Sequence, residues 1–271
     1  MNELALFAGA GGGILAGKIL GWRTVCAVEW EPYPASVLCA RQNDGLLPPF
    51  PIWDDIQTFN GKPWRGIVDV VSGGFPCQDI SAAGKGDGLD GERSGMWKHM
   101  ARVVGEVRPR FVFVENSPML TTRGGTRVIG DLTSMGYDCR WTVMGAADVG
   151  ANHQRDRIWI VAHTNGSHGK GNKRSERTQQ EHANIDSAGQ LAYTSDGWNV
   201  WRDRFLGTAE QEHHQRGSQA DGSREWWQAE PNVGRVADGV AARVDRLKAI
   251  GNGQVPLCAA TAFQFLSGAF K

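Results

Sequence analysis

Net charge is the first thing this chain lacks: 29 Lys and Arg stand against 29 Asp and Glu, and the formal charge at pH 7 is zero. Recognition of a polyanion by bulk charge is excluded, so any phosphate contact has to come from local clusters. Cysteine is sparse. Cys26, Cys39, Cys77, Cys139 and Cys258 are odd in number, widely spaced and include no Cys-x-x-Cys pair. That argues against a disulfide framework and a thiolate zinc site, and a reducing compartment without a metal is expected. Also missing are an apolar span of about 18 residues and a basic segment leading an apolar one, so the expectation is a soluble cytoplasmic monomer with no membrane partner.

What is present is a pattern of short apolar runs that end in glycine. With 41% hydrophobic residues over 271 positions, the chain can bury a substantial core. Leu4 to Phe7 reads as a strand, followed by Gly9, Gly11, Gly12 and Gly13 and an apolar helix from about Ile14 to Leu20. Thr24 to Val28 reads as a second strand ending in Glu29, about twenty residues beyond the first glycine, where such folds place an acid for ribose hydroxyls. Any tight strand-to-helix turn uses glycine, and the turn alone does not distinguish a dinucleotide from S-adenosylmethionine. Pro34 is expected to open a short helix.

Val70 to Ser81 is the stretch on which the rest is organised. An apolar run stops at Gly73 and Gly74, then Phe75, Pro76 and Cys77 follow, so a thiol stands in a constrained turn at the C-terminal end of a strand. Open α/β sheets put their chemistry there. A lone intracellular cysteine is more often a small buried hydrophobe, but a packed cysteine needs neither the proline nor the glycines.

Ala82 to Gly91 is glycine-rich and polar and is expected to be mobile. Met96, Met100, Val103, Val104 and Val107 then fall on one face of a helix that stops before Pro109. Phe111 to Val114 reads as a buried strand delivering Glu115 and Asn116 beside Cys77. Gly124 to Met135 reads as a helix and Trp141 to Ala146 as a strand. A last strand runs to Ala162, and if it begins at Arg155, alternation puts Arg155 and Arg157 on one face.

These residues carry a resemblance. Gly74-Phe75-Pro76-Cys77-Gln78 with Ser81, and Glu115-Asn116 after its apolar run, resemble the nucleophile and Glu-Asn motifs of the C5-cytosine DNA methyltransferases. Phe7 to Gly12 with Glu29-Trp30, Asp54-Asp55-Ile56, Arg155-Asp156-Arg157, Arg235 to Val240 and Gly251 to Pro256 resemble further motifs of that family. The resemblance implies an α/β fold with a doubly wound, mostly parallel Rossmann-like sheet and a small irregular target-recognition region. It implies S-adenosylmethionine as cofactor, bound by Phe7, Gly9, Gly11, Glu29, Trp30, Asp55, Ile56, Pro76 and Asn252. Glu29 is expected on the ribose, Trp30 on the adenine and Asp55 on its amino group.

Cys77, Glu115, Arg155 and Arg157 are implied as catalytic, with Gln78, Ser81 and Asn116 on the substrate, double-stranded DNA. The activity implied is a DNA (cytosine-5-)-methyltransferase of the restriction-modification kind, acting in a prokaryotic or phage-infected cell. An RNA cytosine methyltransferase and a binding-only relative are the alternatives. Asn152-His153 stands where many members carry Pro-Gln, and Gln254 where a small or aliphatic residue is more usual.

Three parts are expected: a cofactor-binding and catalytic domain over 1–163, the recognition region over 164–230, and a returning segment over 231–271. Between Gly166 and Gln190 only Ala183, Ile185 and Ala188 are apolar, too few to offset the ordering entropy of the segment. Eight Lys or Arg stand against ten Asp or Glu between His163 and Glu230, so this is no basic patch. Trp198, Trp201, Trp226 and Trp227 are expected mainly to pack.

Overall fold

A computed structural model of the chain describes residues 1–76, 95–164 and 242–268. Cys77, Gln78, Ser81, the loop to Gly91, the motif from Arg235 to Val240 and the expected recognition region beyond Thr164 lie outside the described residues. The chain divides into two compact units, Met1–Tyr193 with Asn252–Lys271, and Thr194–Gly251. Within the second, residues 242–251 are described, and nearly all of them form helix α5 (Arg243–Asn252).

Among the described residues, the first unit carries seven strands: β1 (Asn2–Leu6), β2 (Arg23–Val28), β3 (Ile52–Trp53), β4 (Val70–Gly73), β5 (Phe111–Asn116), β6 (Asp138–Met144) and β7 (Arg157–His163). Their order in the sheet is β3-β2-β1-β4-β5-β7-β6. The first five are mutually parallel, and β7 runs antiparallel to both β5 and β6. With helices α1 (Gly12–Ile19), α2 (Pro32–Asn43), α3 (Met96–Val107), α4 (Gly125–Ser134) and α6 (Pro256–Gly268) connecting and covering the strands, this is the doubly wound, mostly parallel Rossmann-like architecture expected.

Alternation along the strands builds a core on each face. Leu4 and Leu6 of β1, Cys26 and Val28 of β2, and Val112 and Val114 of β5 pack with Met100, Val103, Val104 and Val107 of α3 and Val128, Ile129 and Leu132 of α4. The intervening residues face the other way: Ala5 and Ala27 meet Ile14 and Leu38. On that same side Phe111 and Phe113 of β5 meet Phe263 of α6 edge-on, at ring separations of 5.5 and 5.4 Å. Trp22 completes this seat for α6 at 4.6 Å from Phe263.

Two local expectations are corrected. Helix α2 begins at Pro32, not Pro34, because Pro32 takes the first helical position, where the missing N–H costs nothing. Strand β7 begins at Arg157, because Arg155 has a left-handed φ of 50° and cannot extend the ladder. Strict alternation therefore does not relate the two arginines.

Candidate active site

The register of the sheet gathers the predicted residues at one edge. Leu6 is paired with Val28 on one side and Gly73 on the other, and Gly73 with Val114. The residues that follow, Phe7, Glu29, Gly74 and Glu115, therefore line up at the C-terminal ends of four adjacent parallel strands. Since β7 is antiparallel and Asn116 pairs with Ile158, its first residue, Arg157, starts at that same edge. The chain reverses strand order around β1, the position where open α/β sheets bind ligands.

A cleft opens there, lined among others by Phe7, Gly9, Gly13, Gly74, Glu115 and Asn252. Its floor is the turn between β1 and α1. Gly11 caps α1 with a left-handed φ of 93° and no side-chain cap, a conformation glycine adopts without strain. The first turn of α1 carries no acid, so its N–H groups and dipole favour an anionic group of a ligand. Glu29 is 8% exposed and is held by two backbone donors: the Gly9 N–H donates to Oε2 at 2.6 Å and the Glu31 N–H to Oε1 at 2.8 Å.

Glu115 is the charged centre of the site. Alternation places it on the Phe111–Phe113 face of β5, beneath the segment that leads into α6. Its side chain is 12% exposed and Arg157 Nε donates to Oε1 at 2.9 Å. Burial pushes its carboxyl above the ordinary carboxylate range; Arg157, a hydrogen bond from Gln254 and the more distant Arg155 pull it back. Gly74 gives this carboxylate room, since a β-carbon there would overlap Glu115 Oε2.

Arg155 does other work. Its guanidinium donates to the Gly253 carbonyl at 2.5 Å, tying the Asn252–Gln254 segment to the β7 side of the cleft. Asn116, on the opposite face of β5, is 2% exposed; its Nδ2 donates to the Phe75 carbonyl at 3.0 Å and its Oδ1 accepts from the Ser117 N–H at 2.8 Å. It holds the turn that reaches Pro76, the last described residue before Cys77.

The remaining cofactor candidates are spread around the β1–β2 side. Phe7 adopts a left-handed φ of 51° as the chain leaves β1. Trp30 is 70% exposed, so its ring is open to a ligand. Asp55 Oδ1 accepts from the Gln57 N–H at 2.8 Å, closing its own turn, and Ile56 is buried at 5% within the core. Gly11, Glu29, Trp30, Asp55, Ile56 and Pro76 do not line the cleft itself. Reading motifs missed Gln254, whose only signal was that it is larger and more polar than usual at its position. Among the described residues no group of three or more His, Cys, Asp or Glu could hold a metal ion, and no helix is long and apolar enough to cross a membrane.

A family model described as C-5 cytosine-specific DNA methylase matches residues 1–251. The chain is 33% identical over 163 residues to Type II methyltransferase M.CviJI of Paramecium bursaria Chlorella virus IL3A, a match covering 59% of this chain and 42% of that protein. It is 32% identical over 169 residues to Type II methyltransferase M.HhaI of Haemophilus parahaemolyticus, covering 61% of this chain and 50% of the relative. The matched part thus spans half or less of these relatives' length. Among solved structures, the Entamoeba histolytica methyltransferase EhMeth superposes with a TM-score of 0.52 at 14% identity, covering 65% of this chain and 57% of that one, a likeness of fold.

Proposed function

Since the chain belongs to the C-5 cytosine-specific DNA methylase family, we propose that it transfers a methyl group from S-adenosylmethionine to C5 of cytosine in double-stranded DNA. The observation that carries this is the buried Glu115 carboxyl, clamped by Arg157 beside a glycine-turn cleft and directly against Gly74, three residues before Cys77.

The residues in and around the cleft suit the cofactor. The uncapped first turn of α1 offers N–H groups to an aminocarboxylate, Glu29 sets a carboxylate at the end of β2 for ribose hydroxyls, and the exposed Trp30 ring offers a face to the adenine. Phe7, Gly9, Gly11, Asp55, Ile56, Pro76 and Asn252 complete this proposed set. Bound there, S-adenosylmethionine supplies an electrophilic methyl group on a sulfonium.

The chain's own residues make C5 a nucleophile. Cys77, as thiolate, adds to C6 of the cytosine, and the electron pair displaced from the C5–C6 bond is drawn toward N3. Glu115 donates its proton or a strong hydrogen bond at N3, a task that suits a carboxyl whose burial favours the protonated form. Arg157 fixes that carboxyl and helps hold the base. C5 takes the methyl group as the donor leaves as a neutral thioether and N3 hands its proton back to Glu115; loss of the C5 proton to water then re-forms the C5–C6 double bond and expels the thiolate. C6 is shielded in a stacked duplex, so the target base is flipped out, at a cost of a few kcal/mol. Gln78 and Ser81 are proposed to contact the flipped nucleotide; Asn116 acts on it through the Phe75–Pro76 turn.

The test is transfer of labelled methyl from S-adenosylmethionine to unmethylated DNA and to tRNA, with Cys77→Ser as control. Label on DNA that disappears in Cys77→Ser is the expected result. Equal labelling by both proteins, or label on tRNA alone, overturns the proposal.

A further inference from the structure

The side chain of Gln254 occupies a position that no part of the proposed mechanism uses. It enters between two glycines from different elements. A β-carbon on Gly13, in the first turn of α1, would lie 2.7 Å from Gln254 Oε1, and one on Gly74, beyond β4, 3.3 Å from Nε2. The backbone of Gln254 lies equally close over Gly12, where a β-carbon would overlap its carbonyl oxygen. Gln254 thus takes the space that side chains at three neighbouring positions would need.

Its orientation follows from hydrogen-bond chemistry. An ionised carboxylate only accepts, so the amide turns its Nε2 toward Glu115 and leaves Oε1 over the α1 turn. The backbone that presents the amide is itself fixed, because Arg155 donates to the carbonyl of Gly253, the preceding residue. A continuous chain of contacts therefore runs from Arg155 through Gly253 and Gln254 to Glu115 and on to Arg157.

From this arrangement we infer that Gln254 is a positioning residue for Glu115: its amide holds the carboxyl together with Arg157 and joins it mechanically to the glycine turn of the cofactor cleft. The inference rests on the methyltransferase reading for its consequence in catalysis, though not for the contact itself. It also accounts for an amide at this position. An aliphatic residue could fill the same space, but it would leave one side of a buried carboxylate without a donor, which is costly.

Removing the donor has a definite sign. The groups facing Glu115 are Arg157 at the start of β7, Arg155 in the turn before it, Gln254 itself, and Cys258 of α6, whose buried thiol is pushed up to about 12 and so stays neutral. Of these, Gln254 favours the ionised form of Glu115. Without it the carboxyl titrates at a higher pH and has lost one of its two anchors.

The experiment compares wild type with Gln254→Met, which keeps the volume and loses the donor, and with Gln254→Asn, one methylene shorter. Glu115 is titrated directly in the ligand-free protein by carboxyl ¹³C NMR, its resonance assigned through Glu115→Gln. Both variants are expected to titrate Glu115 at higher pH than wild type. Methyl transfer to unmethylated DNA is expected to slow about tenfold, with the basic limb of the kcat profile moved upward and the KM for DNA unchanged. Either variant, folded and with the wild-type Glu115 titration, overturns the inference. Absence of transfer by wild type would instead count against the methyltransferase reading, since the titration is read without substrate.

Discussion

A buried asparagine carries much of the geometry at the scale of single residues. Asn116 spends both ends of its amide inside the protein, one on the Phe75 carbonyl and the other on the Ser117 N–H. Through the Phe75 carbonyl it fixes the backbone that leads to Pro76. Asn116→Asp keeps the shape and replaces the donor by an acceptor, setting an oxygen against the Phe75 carbonyl oxygen. The expected outcome is a loss of about 1–3 kcal/mol in urea unfolding, the cost of a buried group left without its partner. Methyl transfer should slow while the dissociation constant of S-adenosylmethionine, measured by calorimetry, stays that of wild type. Equal loss of cofactor affinity would place Asn116 in the cofactor site instead.

At the scale of elements, the C-terminal helix is what brings Gln254 to the sheet. Phe263, 5% exposed, sits among the rings of Trp22, Phe111 and Phe113 and locks α6 against β5. Truncating it should leave a cavity: Phe263→Ala is expected to cost about 3–5 kcal/mol of unfolding free energy and Phe263→Leu distinctly less, as read from chemical denaturation. Equal loss in the two variants would show that the site cannot be filled by an aliphatic side chain.

These elements differ in how plainly the chain announces them. Strands β1, β2, β4 and β5 are short apolar runs that stop at glycine or at an acid, so their ends, and with them Glu29, Gly74 and Glu115, can be read from local pattern. Strand β3 has only Ile52 and Trp53 and no period to detect. Arg155 looks like a strand residue because it lies two before Arg157, yet its left-handed backbone turns it toward Gly253 instead. Gln254 lies 139 positions (254 − 115) from the carboxyl it touches, and only the register of the sheet with the seating of α6 brings them together.

Charge burial is a property of the first unit as a whole, with a second acid deep in the sheet, bonded to Ser72 of the cleft wall. Glu3 of β1 faces α1, fully buried, with the hydroxyls of Thr24 on β2 and Ser72 on β4 at 2.7 and 2.6 Å from its carboxyl oxygens. Burial raises its pKa above the ordinary value and outweighs those hydroxyls, which favour the ionised form. A carboxyl whose folded pKa is raised gives a contribution to stability that is complete below its unfolded pKa and is lost as pH rises through the folded one. Between the two, the native state holds a proton the unfolded chain has released, and stability falls by about 1.4 kcal/mol per pH unit for this one group. Glu115 acts in the same direction on β5. Glu3→Gln imitates the protonated acid and cannot ionise. Urea unfolding from pH 4.5 to 8.5 is expected to give curves that coincide at the acid end and separate as pH rises, with the variant the more stable at neutral pH. Parallel curves at all pH values would mean that Glu3 titrates alike in the folded and unfolded chain.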